Sequence, residues 1–390
     1  MKNIFMKKAI DTYLTTATKA TKSPLEVWRW GQDNMLPIAL TALSRSSVTH
    51  RRIIIDKADY ISGRGFKSDL EQLTAFTQHC NGLGQSLRNV IQCVAMDKCV
   101  MGNAFIEVVR VVDSPSLSLY HQDASRCRLA RDKKHIIMHH DWSHFKAQES
   151  VQLSIYPTFE AHPDGTLRAM IHYKDYEPMF ENYGSPKYLA ALDAIAIAHK
   201  TDRWNITRLD NSFQASGVMV LDGDVDSPQD AAQIAIQAEK RFAGNPGQVM
   251  FMVKNGADND TTKFVPITSS FDGDWRELHE QSTTDIIVAH SWFRTLSGLE
   301  YVSGFSADRV RNEYDIALST VIRTEQQELM EPIRKILNSV FQIDSSSLEF
   351  INLPPFDAKP AYMYVWEARK ADGLDYDPQA NSQACFLANL

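Results

Sequence analysis

Hydrophobic positions recur along this chain at two different spacings, and each change of spacing marks a new element. Near the N-terminus, Ile38, Leu40 and Leu43, then Ile53, Ile54 and Ile55, supply the apolar faces of two helices, the first starting close to Pro37. A Gly63-Arg64-Gly65 turn ends that stretch. Residues 69–101 read as helical again, with Leu70, Leu73 and Phe76 followed by Leu87, Val90, Ile91, Val94 and Ala95. Gly102 stops that helix, and the β-branched run NAFIEVVRV begins a strand. From Ser116 to Tyr176 the pattern is that of short strands: LSLYHQD, CRLARD, KHIIMHHDW, VQLSIYP and LRAMIHYKDY, with a hairpin at Asp164-Gly165. Residues 1–22 are rich in Lys and Thr and read as a loose arm. The first 182 residues therefore predict an α+β domain.

The next segment breaks the pattern. YGSPKYLAALDAIAIAHKTDRWNITRLDNS, residues 183–212, is small and apolar on every side in its first half and polar in its second. Ser185 is a preferred N-cap and Pro186 suits the first helical position, so one helix is expected from there to about Asn211, roughly 40 Å long. SGVMVLDGDVDSPQDAAQIAIQAEKRFAGNPGQVMFMVKNG then reads strand, helix, Gly/Pro turn, strand, which makes residues 213–271 a small α/β insertion. A second helix falls within residues 272–294, with Asp274 as N-cap, Glu277 three residues on, and a stripe of Trp275, Leu278, Ile286, Ala289 and Phe293. TLSGLEYVSGF, residues 295–305, interrupts: its glycines and serines prevent helix, yet Leu296, Leu299, Tyr301, Val302 and Phe305 are too apolar for an ordinary solvent loop. A long helix follows from about Ser306 to Val340, with a kink expected at Pro332. LEFINLPPF is a strand closed by two prolines, completing residues 306–356, and a tail with one short helix occupies 357–390.

Composition narrows the function. The chain has 390 residues, 44% apolar and 23% charged, as in ordinary folded proteins. Its net charge of −7 argues against a protein whose main task is gripping phosphate backbones, though not against one that lets nucleic acid slide past. Five cysteines without CxxC spacing indicate neither a disulfide framework nor a zinc site. MKNIFMKKAIDTYL is basic but never runs apolar, so it does not read as a signal peptide, and no stretch approaches the roughly 18 apolar residues of a membrane span. His135, His139, His140 and His144 crowd together with Asp141, but on a strand His139 and His140 would point to opposite faces, which favours a solvated strand over a metal site. Asp222, Asp224 and Asp226 start like a calcium loop, yet Ser227 and Gln233 stand where Gly and Glu are needed. GRGF lacks the third glycine of a dinucleotide fingerprint, and there is no phosphate loop or nucleophile elbow. No catalytic, metal or cofactor site is expected.

The order of the parts carries more than any motif. WGQDNMLP, ISGRGF, MGNAFIEVVR, YGSP with AALDAI, SGVMVLDG, LHEQSTTDIIVAHSW and ADRVRNEYDIALSTVIRTEQQELMEPIRKIL follow one another as similar stretches do in the portal proteins of tailed bacteriophages, of the long-tailed type. The resemblance spans residues 28 to about 356. It implies a wing (1–182), a first stem helix (183–212), a clip (213–271), a second stem helix (272–294), a tunnel loop (295–305), a kinked helix with wing closure (306–356) and only a short crown or tail (357–390). It also implies a non-enzymatic ring, usually twelve-fold, at one capsid vertex, through which DNA is packaged and ejected. The expected partners are other copies of the chain, the terminase packaging motor, a neck adaptor, capsid and scaffold proteins and non-sequence-specific duplex DNA, with no membrane. The expected locations are the virion and, during assembly, the host cytoplasm. Leu189, Ala190, Ala191, Leu192, Ala194 and Ile195 would be buried by neighbouring stems. Ser297, Leu299, Glu300, Tyr301 and Ser303 would face DNA, and Asp222, Asp224 and Asp226 would dock motor and adaptor. Over twelve copies the charge would reach about −84, a sign that keeps DNA from sticking. Two other readings fit the residues: a different structural ring or adaptor of a phage or phage-derived particle, and a metal-dependent nucleic-acid enzyme using His139 or Asp141.

Overall fold

Two serine caps set the first helices. Ser47 and Ser86 each accept the backbone N–H three residues on, from His50 and Asn89, and so begin the helices Val48–Ser62 and Leu87–Met101. In this computed structural model, residues 27–112, 114–210, 217–222, 229–230, 233, 236, 250–254, 263–266, 274–299 and 307–355 are described. In chain order the elements are α1 (Leu36–Leu43), α2 (Val48–Ser62), β1 (Phe66–Lys67), α3 (Glu71–Gln78), α4 (Leu87–Met101), β2 (Asn103–Val111), β3 (Leu117–Gln122), β4 (Cys127–Leu129), β5 (His135–Met138), β6 (Val151–Ser154), β7 (Glu160–Ala161) and β8 (Thr166–Lys174). After them come α5 (Leu192–Asp210), β9 (Gly217–Asp222), β10 (Met250–Lys254), β11 (Lys263–Pro266), α6 (Asp274–Ala289), α7 (Ala307–Ala317), α8 (Arg323–Phe341) and β12 (Glu349–Phe350). The fold is mixed α and β, as the spacing of apolar residues predicts.

The main sheet has the order β3-β2-β8-β7, all antiparallel, with β2 paired to β8 from Asn103↔Lys174 to Val111↔Thr166. Strand β2 is buried on both faces, which is why NAFIEVVRV shows no polar alternation. Phe105 joins one core with Leu40, Ile53, Tyr188, Ile195 and Ile286. Ala104, Ile106 and Val108 join the other, with Ile91, Val94, Leu329 and Ile333. Each buried Val, Leu, Ile or Phe among them contributes about 1.5–3 kcal/mol by leaving water. A second sheet runs β4-β5-β6, β1 pairs with β12, and β10-β9-β11 forms a small sheet in which β10 runs parallel to β9.

Three expectations change. The helical stretch 69–101 is two helices, because Asn81 turns its side chain back onto the N–H groups of Leu83 and Gln85 and holds a loop between them. The long C-terminal helix continues through Pro332, and its irregularity falls earlier, in a π-helical turn at Leu318–Ile322. There the hydroxyls of Ser319 and Thr320 both donate to the Ile316 carbonyl and compete with its backbone partner. His139 and His140 do not alternate, since β5 ends at Met138; His139 is buried and the two rings stack with centroids 4.6 Å apart.

Candidate functional site

The segment entering α5 is clamped before it can coil. Gly102 ends α4 in the left-handed region, φ 65°, and a Cβ there would lie 2.2 Å from the Ser185 carbonyl carbon. Asn103 brackets the same spot: its Nδ2 donates to Gly184 O, and its Oδ1 accepts from Gly184 N–H at 2.8 Å. Ser185 N–H donates to Asp175 O. The helix therefore cannot begin at Ser185. A 3₁₀ turn occupies Leu189–Ala191, and α5 starts at Leu192, giving a rod of roughly 28 Å rather than 40 Å.

A buried junction seats both α5 and α6 on α2. Tyr188, just before α5, donates its hydroxyl to Val100 O and meets the His50 ring edge-on at 4.4 Å. His50 Nδ1 and His290 Nε2 are 2.8 Å apart, one donating and the other accepting, and Lys57 Nζ donates to His290 O at 2.9 Å. Burial, helped by Arg51, lowers His50 to about 3. Burial, with His50 and Lys57 adding to it, takes His290 well below the usual histidine range. The pair stays neutral, since burial disfavours an imidazolium here and His50 Nε2 has no partner to receive an added N–H.

Beside that junction lies a buried ion cluster. Lys98 Nζ, 4% exposed, reaches Asp175 at 2.6 Å, Glu325 at 2.5 Å and Glu328 at 2.8 Å, and Lys187 closes on Glu325. Burial alone would raise Glu325; the charges of Lys98 and Lys187 outweigh it and hold the carboxyl at about 2. Asp175 moves the other way, raised by burial and by the neighbouring Glu325, so Glu325 is the firmer anion. The cluster joins α4, the end of β8, the entry to α5 and α8. Sequence reasoning missed both sites, although Lys98 falls in register with the apolar Val90, Ile91, Val94 and Ala95 stripe, a signal for a buried charge needing partners.

The residues expected to meet neighbouring stems divide. Ala191, Leu192, Ala194 and Ile195 are already buried by their own chain; Leu189 is half-buried and Ala190 exposed. The stretch 295–305 begins tightly held: Thr295 donates through its N–H and hydroxyl to the buried Glu313, and Thr295–Ser297 forms a 3₁₀ turn ended by Gly298. Ser297 is buried, its hydroxyl bonded to Phe293 O, so it does not face outward in the single chain; Leu299 is half-buried. Glu300, Tyr301 and Ser303 lie outside the described residues, as do Asp224 and Asp226, and Asp222 ends β9.

No protein-family model and no curated protein matches the chain. Solved structures do. One, titled the neck of a native gene transfer agent particle computed with C12 symmetry, is 14% identical, aligns over 95% of this chain and 99% of its own, and has a TM-score of 0.54. The neck of the empty particle, computed with C6 symmetry, is 15% identical over 87% and 94%, TM-score 0.53. A phage portal protein of the HK97 family from Corynebacterium diphtheriae is 13% identical over 82% and 97%, TM-score 0.50.

The chain has the portal fold.

Within this portal fold, His139, His140 and Glu149 place donor atoms within 4.8 Å of one another. The two ring nitrogens of His139 already face the N–H groups of Asp141 and Lys146, at 3.0 and 3.3 Å, and its ring packs on Trp142 and Phe145. A second trio, Asp175, Glu325 and Glu328, is the carboxylate set held by Lys98. Among the described residues no helix is long and apolar enough to cross a membrane.

Proposed function

We propose that the chain is a portal subunit: about twelve copies form a ring at one vertex of a phage capsid or phage-derived particle, and DNA passes through it during packaging and ejection. The observation that carries this is near end-to-end likeness, over 95% of this chain, to a neck protein computed with C12 symmetry, joined to the likeness to a phage portal. In this reading residues 1–182 are the wing, 183–212 and 272–294 the stem segments that hold α5 and α6, 213–271 the clip, 295–305 the tunnel loop and 306–356 the long helix with wing closure. The role is structural, with the ring part of the virion and built in the host cytoplasm. The clip docks the packaging motor and later a neck adaptor, capsid and scaffold proteins hold the wing, and motion comes from the separate motor. Electron microscopy of the purified protein tests the proposal. Rings with a central channel are the expected result; a stable 44.2 kDa monomer, in concentrated solution and in assembled particles, overturns it.

A further inference from the structure

The two flanks of α5 differ in shape and sign. On one flank, α5 and α6 leave an open groove of about 480 Å³. Ala190, Ile197, Leu278 and Val288 line it with apolar surface, and the exposed carboxylates of Asp193 and Asp285 stand along it. Val288 is 69% exposed, unusual for a valine on a packed helix. On the other flank, the α1–α2 turn rests against α5 through the bond between Ser46 O and His199 Nδ1, 2.9 Å. That turn carries Val48, 82% exposed, beside the exposed Arg45. At about 100° per residue, His199 lies roughly 120–160° round α5 from Asp193, Ala194 and Ile197. An apolar groove with acidic groups and an apolar knob with a basic one thus sit back to back on one helix.

We propose that successive copies of this chain join head to tail here, the Arg45–Val48 turn of one copy seating in the α5–α6 groove of the next. This rests on the ring reading above and names the surfaces that would make the ring. The occupant is a second copy for two reasons. The groove and knob match in sign and in apolar character, and their positions on opposite flanks keep a chain from filling its own groove. A contact between two different faces, repeated, closes into a ring when its rotation divides the circle. Val48 brings the apolar anchor, while Arg45 meets Asp193 and Asp285 at the rim, where opposite charges set partner choice and register.

The test exchanges the charges. One variant carries Arg45→Asp; the other carries Asp193→Arg and Asp285→Arg. These are exposed positions, so thermal melts should match the parent. Each variant alone sets like charges against each other and is expected to lose ring assembly by roughly tenfold or more in mass photometry. An equimolar mixture offers each acidic knob a basic groove and each basic knob an acidic groove, so rings should return with the two variants alternating. The inference is overturned if either variant alone forms rings at parental yield, or if the mixture fails to restore them. If rings persist in both variants while capsid incorporation is lost, the groove serves another partner and the inference likewise fails. A parental protein that forms no ring overturns the ring reading itself, an outcome visible before any variant is made.

Discussion

A lysine ammonium only 4% exposed is tolerable where carboxylates replace its water, and Lys98 has three of them. Removing it would leave Asp175 and Glu325 with Lys187 as their nearest cation. Lys98→Met is therefore expected to cost about 3–5 kcal/mol, as for a broken buried pair, and adding Glu325→Gln should recover part of the loss. Urea melts of the two variants check this. His172 makes a pH prediction at the same scale. It is half-buried, stacks on Phe105 and bonds Asn103 Oδ1, and desolvation, with Lys174 adding to it, lowers it to about 3. In the unfolded chain it takes a proton near pH 6.5; in the folded chain it does not until about 3. Folding stability therefore falls as pH drops from 6.5 towards 3, by roughly 1.4 kcal/mol per unit for this one group. Glu325 adds to the loss: its lowered pKa gives stability that is complete above about 4.5 and disappears as pH falls through about 2. His172→Gln should lower stability overall yet flatten the slope between pH 6.5 and 4; an unchanged slope would show that His172 is not the source.

For the proposed stem, the decisive contrast is between two adjacent alanines. Ala191 is 3% exposed within one chain, whereas Ala190 faces the groove. Ala191→Glu should destabilise the single chain by several kcal/mol, because it buries an unpaired carboxylate. Ala190→Glu should leave the melt unchanged within about 0.5 kcal/mol and act only on assembly. Differential scanning calorimetry on both variants separates the effects. The strands, Gly102 as a helix stop and the hairpin at Asp164-Gly165 were legible because each depends on neighbours in sequence. The start of α5 was not. Ser185 and Pro186 form a sound local start signal, but Asn103 and Gly102, some eighty residues away, pin the Gly184–Ser185 backbone against the end of α4. Likewise, the apolar run 189–196 shows that burial is needed but not who provides it, and most of it comes from α1, α2, α4 and α6 of the same chain. The proposed tunnel loop divides in the same way. Thr295 is fixed by Glu313, so the function argued for this loop belongs to the residues after Gly298. Replacing residues 299–304 with a Gly/Ser linker should leave rings and capsid incorporation intact and impair packaging or DNA retention. Particles that fill and hold full-length DNA at parental yield would reduce the loop to a connector.

At the scale of the whole molecule, charge and anchoring decide what the proposed ring can do. Residues 213–271 carry seven acids against four bases, so the proposed clip is net acidic, as is the whole chain. Neutralising Asp222, Asp224 and Asp226 to Asn should weaken motor and adaptor docking while rings still form; unchanged pull-down of both partners would count against clip docking through these charges. The α2 end of the proposed stem is fixed differently. Tyr188 leads into α5 and His290 follows α6, and both press on His50 of α2, with Lys57 tied to the His290 carbonyl. In mechanical terms the two helices are the legs of one strut with a shared footing. A sideways load at the far end compresses one leg and stretches the other, and α2 takes the resulting torque. Neither leg can slide along the other without tearing that footing, so the strut swings as a lever instead of shearing. Pulled from residues 210 and 274 in an optical trap, the pair should give way in a single rupture, and two separate events would mean that the legs stand on separate ground.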